Sequence, residues 1–351
     1  MEYKFEDIAY NSTAKKLPIE SDKDCYIGLE HLDSDCLSVT RWGAETAPIG
    51  EKLIMKKGDV LFGKRRAYQR KVGIAPFDGI FSAHGMVLRP KEDVIDKDFF
   101  PFFISSDQFM ERAVRISVGG LSPTINWKDL KVQEFSLPTL EEQRELAKKL
   151  WSAYRLKESY KKLLAATDEM VKSQFIEMFG NKSQADNQGI LADFCILKAG
   201  KSVKSSDIKE NFDDGLYPCY GGNGKRGYVS SYSHDGTYNL IGRQGALCGN
   251  VNIVHGKFYA TEHAVVVTPK KEIDHLWLYF ALSGMNLNQY ARGVAQPGLA
   301  VNQLEQLPFA TPSMNLQQQF VAIAEQADKS GFELRKSIES IDAVIKSLIN
   351  S

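Results

Sequence analysis

The sequence predicts an α+β protein in which two pseudo-symmetric mixed α/β modules are joined by two long antiparallel helices that form a coiled coil. Three observations lead to this fold class. The chain of 351 residues repeats a series of short segments, in the same order, after roughly 175 residues. Each copy begins with short segments typical of strands and continues with a helical segment. Each copy is then followed by a long stretch with helical periodicity.

The repeat is made of weak matches that keep their order along the chain. They pair Phe62-Gly63-Lys64-Arg65 with Ile241-Gly242-Arg243-Gln244, MVLRPK at 86–91 with VVVTPK at 265–270, and LPTLEEQRELA at 137–147 with TPSMNLQQQFVAI at 311–323. Solenoid repeats are much shorter, so the matches indicate a duplicated module. The predicted modules are residues 1–138 and 183–311, and the predicted helical regions are residues 139–182 and 312–351.

Within each module, short β-branched segments between glycine-bearing turns predict a compact mixed sheet. In the second module these segments are Tyr238–Ile241, Val251–Val254, Phe258–Ala260 and Ala264–Thr268. One aromatic segment in each module, 99–114 and 276–291, predicts a helix that follows the strands.

Residues 140–179 contain neither glycine nor proline and predict a helix of roughly 60 Å, at 1.5 Å per residue. Its apolar stripe is Leu146, Leu150, Ala153, Lys157, Tyr160, Leu164, Thr167, Val171, Gln174 and Met178, in which Lys157 and Gln174 are interruptions. The C-terminal stripe is unbroken and consists of Phe320, Ala324, Ala327, Gly331, Leu334, Ile338, Ile341, Ile345 and Leu348. Such spacing is typical of a coiled-coil seam. Two unrelated amphipathic helices, each packed on its own module, are the alternative.

The composition is that of an ordinary globular protein, and the formal net charge is zero. The N-terminal residues do not lead from positive charges into an apolar run, and no segment approaches the apolar length of a membrane span. We therefore expect neither a signal peptide nor a transmembrane helix. The five cysteines are scattered and odd in number, which favours buried thiols in a reducing cytoplasm over disulfides or a metal site.

The segment YGGNGKRGY at 220–228 contains the letters of the dinucleotide-binding fingerprint G-x-G-x-x-G. That fingerprint must follow a strand and open a helix, because the helix N-terminus holds the pyrophosphate. The residues after Gly227 are β-branched and aromatic, which predicts a strand instead. The segment is therefore interpreted as a glycine-rich hairpin tip that presents Asn223, Lys225 and Arg226.

Motifs for catalysis are few. The sequence has neither a phosphate-binding Walker A loop nor a nucleophile elbow. Glu262-His263 can form an acid/base pair, but the first module carries Ala83-His84 at the matching place, so ordinary strand packing is the favoured interpretation. No catalytic residue and no metal ligand is predicted.

Cationic and amide side chains recur at matching places of the two modules. Lysine and arginine bind phosphates or guanine, and asparagine and glutamine bind adenine, so the ligand predicted from these side chains is double-stranded DNA. The predicted DNA-binding residues are Lys64, Arg65, Arg66, Gln69, Arg70 and Lys71 in the first module and Asn223, Lys225, Arg226, Arg243 and Gln244 in the second.

Five segments together resemble a known family. They are LPTLEEQRELAKKL at 137–150, ATDEMVKSQFIEMFG at 166–180, LYPCYGGNGKRGYV at 216–229, LIGRQGALCGNV at 240–251 and NLQQQFVAIAEQADKSGFELRKSIESI at 315–341. In this order, over essentially the whole chain, they resemble the specificity (S) subunits of type I restriction–modification systems. The order of module and helix, twice, is more specific than any single motif.

The resemblance implies a non-catalytic subunit that reads DNA. Each module would be a target recognition domain for one half of a bipartite, asymmetric site, and the helices would set the spacer between the half-sites. Two methyltransferase (M) subunits would dock on the helices and bring S-adenosylmethionine, and restriction (R) subunits would bring ATP and Mg. A coiled-coil scaffold without DNA recognition and an enzyme with an unrecognised active site are the alternatives.

The resemblance also assigns contacts with M subunits, or between the helices, to the helix starts and their seams. These residues are Gln143, Leu146, Leu150, Leu164 and Val171 on the first helix, and Gln319, Phe320, Leu334, Ile338, Ile341 and Ile345 on the second. Modules separated by such helices would meet DNA roughly one and a half turns apart, at about 34 Å per turn.

Overall fold

A computed structural model describes residues 1–180, 186–245, 247–293 and 297–350. The predicted boundary at residues 182 and 183 lies outside the described residues. The chain divides into two compact units. Unit 1 consists of Met1–Lys161 and Lys336–Ser351, and unit 2 is Lys162–Arg335. Each unit therefore contains one module together with parts of both long helices.

Unit 1 is built of ten short strands and four short helices before the first long helix. In chain order they are β1 (Glu2–Lys4), α1 (Phe5–Ile8), β2 (Ala9–Ser12), β3 (Lys15–Lys16), β4 (Tyr26–Ile27), β5 (Lys52–Met55), β6 (Val60–Phe62), β7 (Val72–Ile74), β8 (Gly79–Phe81), β9 (Met86–Pro90), α2 (Phe100–Ser105), α3 (Asp107–Arg115), α4 (Trp127–Leu130) and β10 (Glu134–Ser136). The sheets have the strand orders β1-β10, β2-β9-β6-β7 and β3-β5-β8-β4. The helices pack on the second sheet around a core rich in phenylalanine.

The long helix α5 (Leu140–Phe179) leads into unit 2. The elements of unit 2 are β11 (Asn187–Ile190), α6 (Leu191–Phe194), β12 (Cys195–Ala199), β13 (Tyr217–Gly221), β14 (Gly224–Val229), β15 (His234–Asp235), β16 (Tyr238–Gly242), β17 (Val251–Val254), β18 (Lys257–Ala260), β19 (Ala264–Pro269), α7 (His275–Gly284), α8 (Val301–Glu305), β20 (Pro308–Thr311) and the second long helix, α9 (Met314–Ile349). Its sheets have the orders β11-β20, β12-β19-β16-β17 and β14-β13-β18-β15.

The two units share one topology. The pair β1-β10 corresponds to β11-β20, and β2-β9-β6-β7 corresponds to β12-β19-β16-β17. In the third sheet β5-β8-β4 corresponds to β15-β18-β13, and in both units one pair, β4 with β8 and β13 with β18, is parallel. The predicted duplication of a mixed α/β module is confirmed.

The third sheets differ at their edges. Unit 1 adds β3 beside β5, whereas unit 2 adds β14 beside β13, with which it forms an antiparallel hairpin. Within the described residues of unit 1, nothing corresponds to β14 on the free side of β4. The duplicated modules are therefore most alike in their cores and least alike at this edge.

The single helix predicted at 99–114 is in fact two helices, α2 and α3. Ser106 has extended backbone (φ −66°, ψ 156°), and its hydroxyl accepts a hydrogen bond from the Phe109 N–H, which caps α3. The segment 276–291 is also interrupted, because Asn286 adopts a left-handed conformation (φ 53°) between α7 and a short 3-10 turn. Both predicted helices were too long, because turn residues within them satisfy the freed backbone groups.

The helix α5 begins with a capping box. The Thr139 N–H and hydroxyl both donate to the Glu142 carboxylate at 2.8 Å, and the Glu142 N–H points back to the Thr139 hydroxyl. No helix in the described ranges combines the length and the apolarity needed to cross a membrane.

The predicted seam positions of both long helices are all buried or half-buried. In unit 2 the Phe175 and Phe320 rings lie 5.1 Å apart, and a methyl group on Gly331 would lie 3.3 Å from Leu164 Cδ1. A later residue of α5 therefore meets an earlier residue of α9, as antiparallel helices require. In unit 1 the buried Lys157 forms an ion pair with Asp342 in the same seam.

Buried glutamines anchor both helix starts. Gln143 is 1% exposed; its Oε1 accepts a hydrogen bond from the Asp96 N–H at 2.8 Å, and its Nε2 donates to Pro138 O at 2.9 Å. Gln317 repeats this arrangement with the Asp274 N–H and Pro312 O. The equivalent of Gln143 is therefore Gln317 and not Gln319, which is exposed and whose contact with a partner stays a prediction. The buried amide of Gln143 makes its hydrogen bonds within its own unit, and its predicted partner contact stays a prediction.

Candidate nucleic-acid interface

In each unit two loops meet beside the end of one strand, β6 or β16. In unit 1, residues 63–66 bind residues 118–125 through hydrogen bonds from the Arg66 N–H to Pro123 O (2.7 Å) and from the Ile125 N–H to Lys64 O (2.9 Å). In unit 2, the Gly245 N–H donates to Pro297 O at 3.1 Å and the Leu299 N–H donates to Arg243 O at 2.9 Å. We call this arrangement the loop junction. Its backbone pairing is the same in both units.

The loop junction places the predicted cationic and amide side chains at equivalent positions. Lys64 corresponds to Arg243 and Arg65 corresponds to Gln244, because each pair occupies the same place in the backbone pairing. Arg65 is exposed, and Arg243 and Gln244 are half-buried. Partial burial lowers the pKa of Lys64.

Arg65 and Arg66 are the most accessible candidates of unit 1. Both are exposed, and the Arg66 Nε donates to the Ser122 hydroxyl at 3.2 Å across the junction. Arg66 adopts a left-handed conformation (φ 57°), which turns the chain at this point. Gln69 is half-buried in the following turn.

Two other candidates of unit 1 are engaged within the unit. Arg70 forms ion pairs with Asp35 (2.7 Å) and Asp107 (3.1 Å), and it donates to Ser105 O. Lys71 donates to Leu29 O at 2.6 Å. These contacts hold the loop against its neighbours and engage both side chains within unit 1, and the role of Arg70 and Lys71 in DNA binding stays a prediction.

The fingerprint-like segment of unit 2 is the β13–β14 hairpin, with Gly222 and Asn223 at its tip. A Cβ atom on Gly222 would lie 3.0 Å from Gln244 O and 3.3 Å from His263 O, so the tip packs on the loop junction backbone to backbone. Gly224 (φ 92°) and Gly227 (φ 150°) occupy conformations that favour glycine. The three glycines are explained by this packing and by the hairpin, without a nucleotide.

Of the three residues predicted at the hairpin tip, only Asn223 lies there, because Lys225 and Arg226 lie within β14. All three side chains are exposed. The Lys225 Nζ donates to the Tyr228 hydroxyl at 3.0 Å, and this hydrogen bond raises the pKa of Lys225. Arg226 extends over Gly221, because a Cβ atom there would lie 2.6 Å from Arg226 Cδ.

A shallow pocket of about 230 Å³ opens between the hairpin and the loop junction of unit 2. It is lined by Gly222, Asn223, Arg226, Gln244, Gly245 and His263. The residues that line the pocket therefore carry a guanidinium, two side-chain amides and an imidazole, and they come from the hairpin, the loop junction and the turn between β18 and β19. These are groups that can bind phosphate oxygens or the edges of bases.

The third loop of the pocket is the turn between β18 and β19, which we call the TEH turn (Thr261, Glu262 and His263). Sequence reasoning assigned Glu262 and His263 to ordinary strand packing, but both residues lie in the turn itself. The His263 Nε2 is 3.3 Å from Glu262 Oε1. The difference from Ser82, Ala83 and His84 in the first module was the signal that could have identified this turn.

Buried polar atoms without a hydrogen-bond partner concentrate at the TEH turn. Within the described residues five such side-chain atoms occur, and four are here: Arg243 Nε, Thr261 Oγ1, Glu262 Oε2 and His263 Nδ1. A buried polar atom left unsatisfied costs roughly 1–3 kcal/mol. Such a cluster suits a surface that completes its hydrogen bonds with a ligand. The described part of the chain holds no group of three or more His, Cys, Asp or Glu side chains suited to a metal ion.

Sequence comparison identifies a matching family over most of the chain. The model of the type I restriction modification DNA specificity domain matches residues 7–166 and 189–341, one match for each module. The type I restriction enzyme EcoprrI specificity subunit of Escherichia coli is 49% identical over 139 residues, 39% of this chain and 35% of that protein. The putative specificity subunit S.HindORF215P of Haemophilus influenzae is 33% identical over 133 residues, 37% of this chain and 34% of that protein. The matched segments thus span about a third of each relative.

Two solved structures share the fold over nearly the whole chain. The S subunit of a type I restriction–modification system from M. genitalium matches with a TM-score of 0.62 at 15% identity, covering 99% of this chain and 94% of that one. A chain from a study of complex assembly and conformational transition of the type I R-M system matches with a TM-score of 0.61 at 15% identity, covering 99% and 96%. At this identity the likeness concerns the fold alone.

Proposed function

The chain belongs to the family of type I restriction modification DNA specificity domains, and we propose that it is the DNA-specificity subunit of a type I restriction–modification complex. The observation that carries this proposal is the loop junction, which presents cationic and amide side chains at equivalent backbone positions of both modules. Two copies of one reading surface suit a bipartite DNA site. The copies differ in side chains, which suits two different half-sites.

In this function the exposed cations bind phosphates and the pocket of unit 2 reads bases. Arg65, Arg66 and Lys225 are exposed, and lysine and arginine supply the salt-dependent part of DNA affinity by neutralising phosphates. Asn223, Arg226 and Gln244 line the pocket with groups that pair with adenine or guanine edges. The zero net charge of the chain indicates that partner subunits supply much of the remaining phosphate contact.

The long helices set the spacer between the half-sites. The helix α5 has 40 residues, which corresponds to roughly 60 Å at 1.5 Å per residue. Each recognition module then meets its own half-site, with unread base pairs between them.

Catalysis belongs to partner subunits in this proposal, and the chain itself catalyses nothing. The helices dock two methyltransferase (M) subunits, which bind S-adenosylmethionine and methylate adenine N6. Restriction (R) subunits bind ATP and Mg and cleave DNA. The complex works in the cytoplasm, where the genome is.

The decisive experiment maps adenine methylation in strains with and without this gene. We expect one bipartite methylated motif that disappears on deletion and returns on complementation. The purified chain should methylate nothing alone and should gain sequence-specific methylation with its M subunit. A motif that persists after deletion, or methylation by the isolated chain, would reject the assignment.

The same assay tests the spacer role of the helices. Insertion of one helical turn into the exposed part of α5 should lengthen the spacer between unchanged half-sites or abolish methylation. A scaffold without DNA recognition predicts no change in the motif. Retention of the original spacer would rule out the role of α5 in measuring distance.

A further inference from the structure

We propose that Glu262 is a specificity-determining residue, whose carboxylate accepts a hydrogen bond from the exocyclic amino group of one base in the half-site read by unit 2. This inference rests on the proposed DNA-binding function and deepens it. It assigns a chemical role to the TEH turn, which the predicted set of DNA-binding residues omitted.

The TEH turn is held rigidly at the pocket. The Thr261 N–H donates to Tyr220 O at 2.9 Å, and His263 O accepts from the Arg243 N–H at 2.9 Å. The turn is thus bonded both to β13 of the hairpin and to the loop junction. His263 lines the pocket beside Asn223 and Arg226.

The turn has unused hydrogen-bonding capacity. The Thr261 side chain is completely buried, yet its hydroxyl has no partner among the described residues. Glu262 uses one carboxylate oxygen, Oε1, for His263 and leaves Oε2 without a partner. The Oε2 atom itself is buried, but the Glu262 side chain as a whole is 37% exposed, so the carboxylate lies at the surface of the turn.

The fold does not require a carboxylate at this position. The equivalent turn of unit 1 is Ser82, Ala83 and His84, and it has the same backbone hydrogen bond: the Gly85 N–H donates to Ser82 O at 3.0 Å, as the Ala264 N–H does to Thr261 O. Alanine therefore satisfies the backbone geometry. Glu262 is therefore free to serve a role other than shaping the turn.

A carboxylate on a cationic surface discriminates between DNA sequences. Glu262 adjoins His263, which lines the pocket together with Arg226. An ionised carboxylate repels phosphates, and it accepts hydrogen bonds but donates none. Glutamate pairs with the amino group of cytosine in the major groove, and adenine presents a similar amino group. At any base pair without a suitably placed amino group, the carboxylate would be desolvated and unpaired, which penalises binding.

The test uses the full chain in its methyltransferase complex and the methylated motif as the readout. Glu262→Ala, which installs the residue of the equivalent turn, should relax one base pair of one half-site, with about ten-fold weaker discrimination. The other half-site and the spacer should not change. Glu272→Ala is the matched control, because it removes the same charge from the opposite end of β19 and should leave the motif intact.

A second arm tests the chemistry of the contact. At the relaxed position, the cytosine or adenine is replaced in a synthetic duplex by the analogue that lacks the amino group. The wild-type complex should bind this duplex about ten-fold more weakly, and the Glu262→Ala complex should bind both duplexes alike. The base found at the relaxed position of the motif shows whether the amino group belongs to cytosine or to adenine.

The outcomes separate this inference from the proposed function. If deletion of the gene removes the motif but Glu262→Ala leaves it unchanged, the inference is wrong and the proposed function stands. The Glu262→Ala variant can also have the same unfolding temperature as the wild type and yet support no methylation. The inference is then wrong as well, because removal of one base-specific hydrogen bond relaxes a site and does not abolish it. Glu262→Gln, which keeps the shape and removes the charge, repeats the test should the alanine variant not fold.

Discussion

The third sheet is built differently at its edge in the two units, although its three central strands correspond. In unit 2 the edge is extended by β14, and the hairpin tip packs on the loop junction. In unit 1 residues 28–51 contain no strand among the described elements. The Tyr154 hydroxyl of α5 instead accepts hydrogen bonds from the Leu37 and Ser38 N–H groups at 2.9 Å. The duplicated core is thus preserved, while the surfaces that differ are added at its edges.

Because of this difference, unit 2 should require glycine at position 242 more strictly than unit 1 requires it at the equivalent position 63. A Cβ atom on Gly242 would lie 2.1 Å from Gly222 O of the hairpin, whereas on the equivalent Gly63 its nearest neighbour would be Lys71 Cβ at 3.2 Å. We expect Gly242→Ala to destabilise unit 2 by about 3 kcal/mol and Gly63→Ala to cost below about 1 kcal/mol. Urea unfolding of the full chain measures both. Equal losses would mean that the hairpin does not constrain Gly242.

Charge removal should affect both units, although the exposed cations belong to the loop junction in unit 1 and to the hairpin strand β14 in unit 2. We expect the double variants Lys225→Ala/Arg226→Ala and Arg65→Ala/Arg66→Ala each to weaken DNA binding at least ten-fold. For each phosphate that the variant no longer neutralises, the slope of log affinity against log salt should fall by about 0.9. Titration of the methyltransferase complex with its duplex at several salt concentrations measures this, with circular dichroism to verify the fold.

Lys97→Ala is the control for these variants, because it removes an exposed positive charge from a position beyond the C-terminal end of β9, whereas the loop junction adjoins the strand that pairs with its N-terminal end. Its salt slope should equal that of the wild type. Should only the unit 1 double variant change the slope, the hairpin cations would not contact DNA, and the two units would differ in phosphate binding as well as in topology.

The smallest effect is expected in the helix seam. Lys157 and Gly331 are equivalent, since each lies fourteen residues beyond its buried glutamine, Gln143 or Gln317. Lys157→Met should leave stability within about 1 kcal/mol of the wild type, because a well-packed apolar side chain replaces a buried ion pair at little cost. Its partner Asp342 is 47% exposed and stays solvated.

Gly331→Ala should be nearly neutral as well. Helix propensity favours alanine by roughly 1 kcal/mol, and the 3.3 Å approach to Leu164 offsets part of this gain. Thermal unfolding of both seam variants provides the comparison. A destabilisation above about 3 kcal/mol for Lys157→Met would show that the ion pair stabilises unit 1, contrary to this expectation.

The repeat and the helices were predictable because their signals are local. The three- and four-residue spacing from Phe320 to Leu348 places one face of α9 in the seam whatever surrounds it. The predicted strands of the second module agree with β16 to β19 to within one residue, because alternation and glycine turns act over a few residues. The duplication then follows from comparing the chain with itself.

Long-range contacts determine the surroundings of side chains that the sequence could not reveal. Arg70 has the chemistry of a DNA ligand, but Asp35 and Asp107 hold it within unit 1. The sequence suggested Gln319 as the equivalent of Gln143, but the buried residue in the equivalent place is Gln317. The place of the TEH turn was hidden because its backbone is bonded to two distant segments, β13 and the loop junction. Helical and strand periodicity depends on residues close together in the sequence, so the sequence reveals it. A binding surface is formed by residues that are distant in the sequence and are brought together by folding, and such contacts produce no regular spacing along the chain.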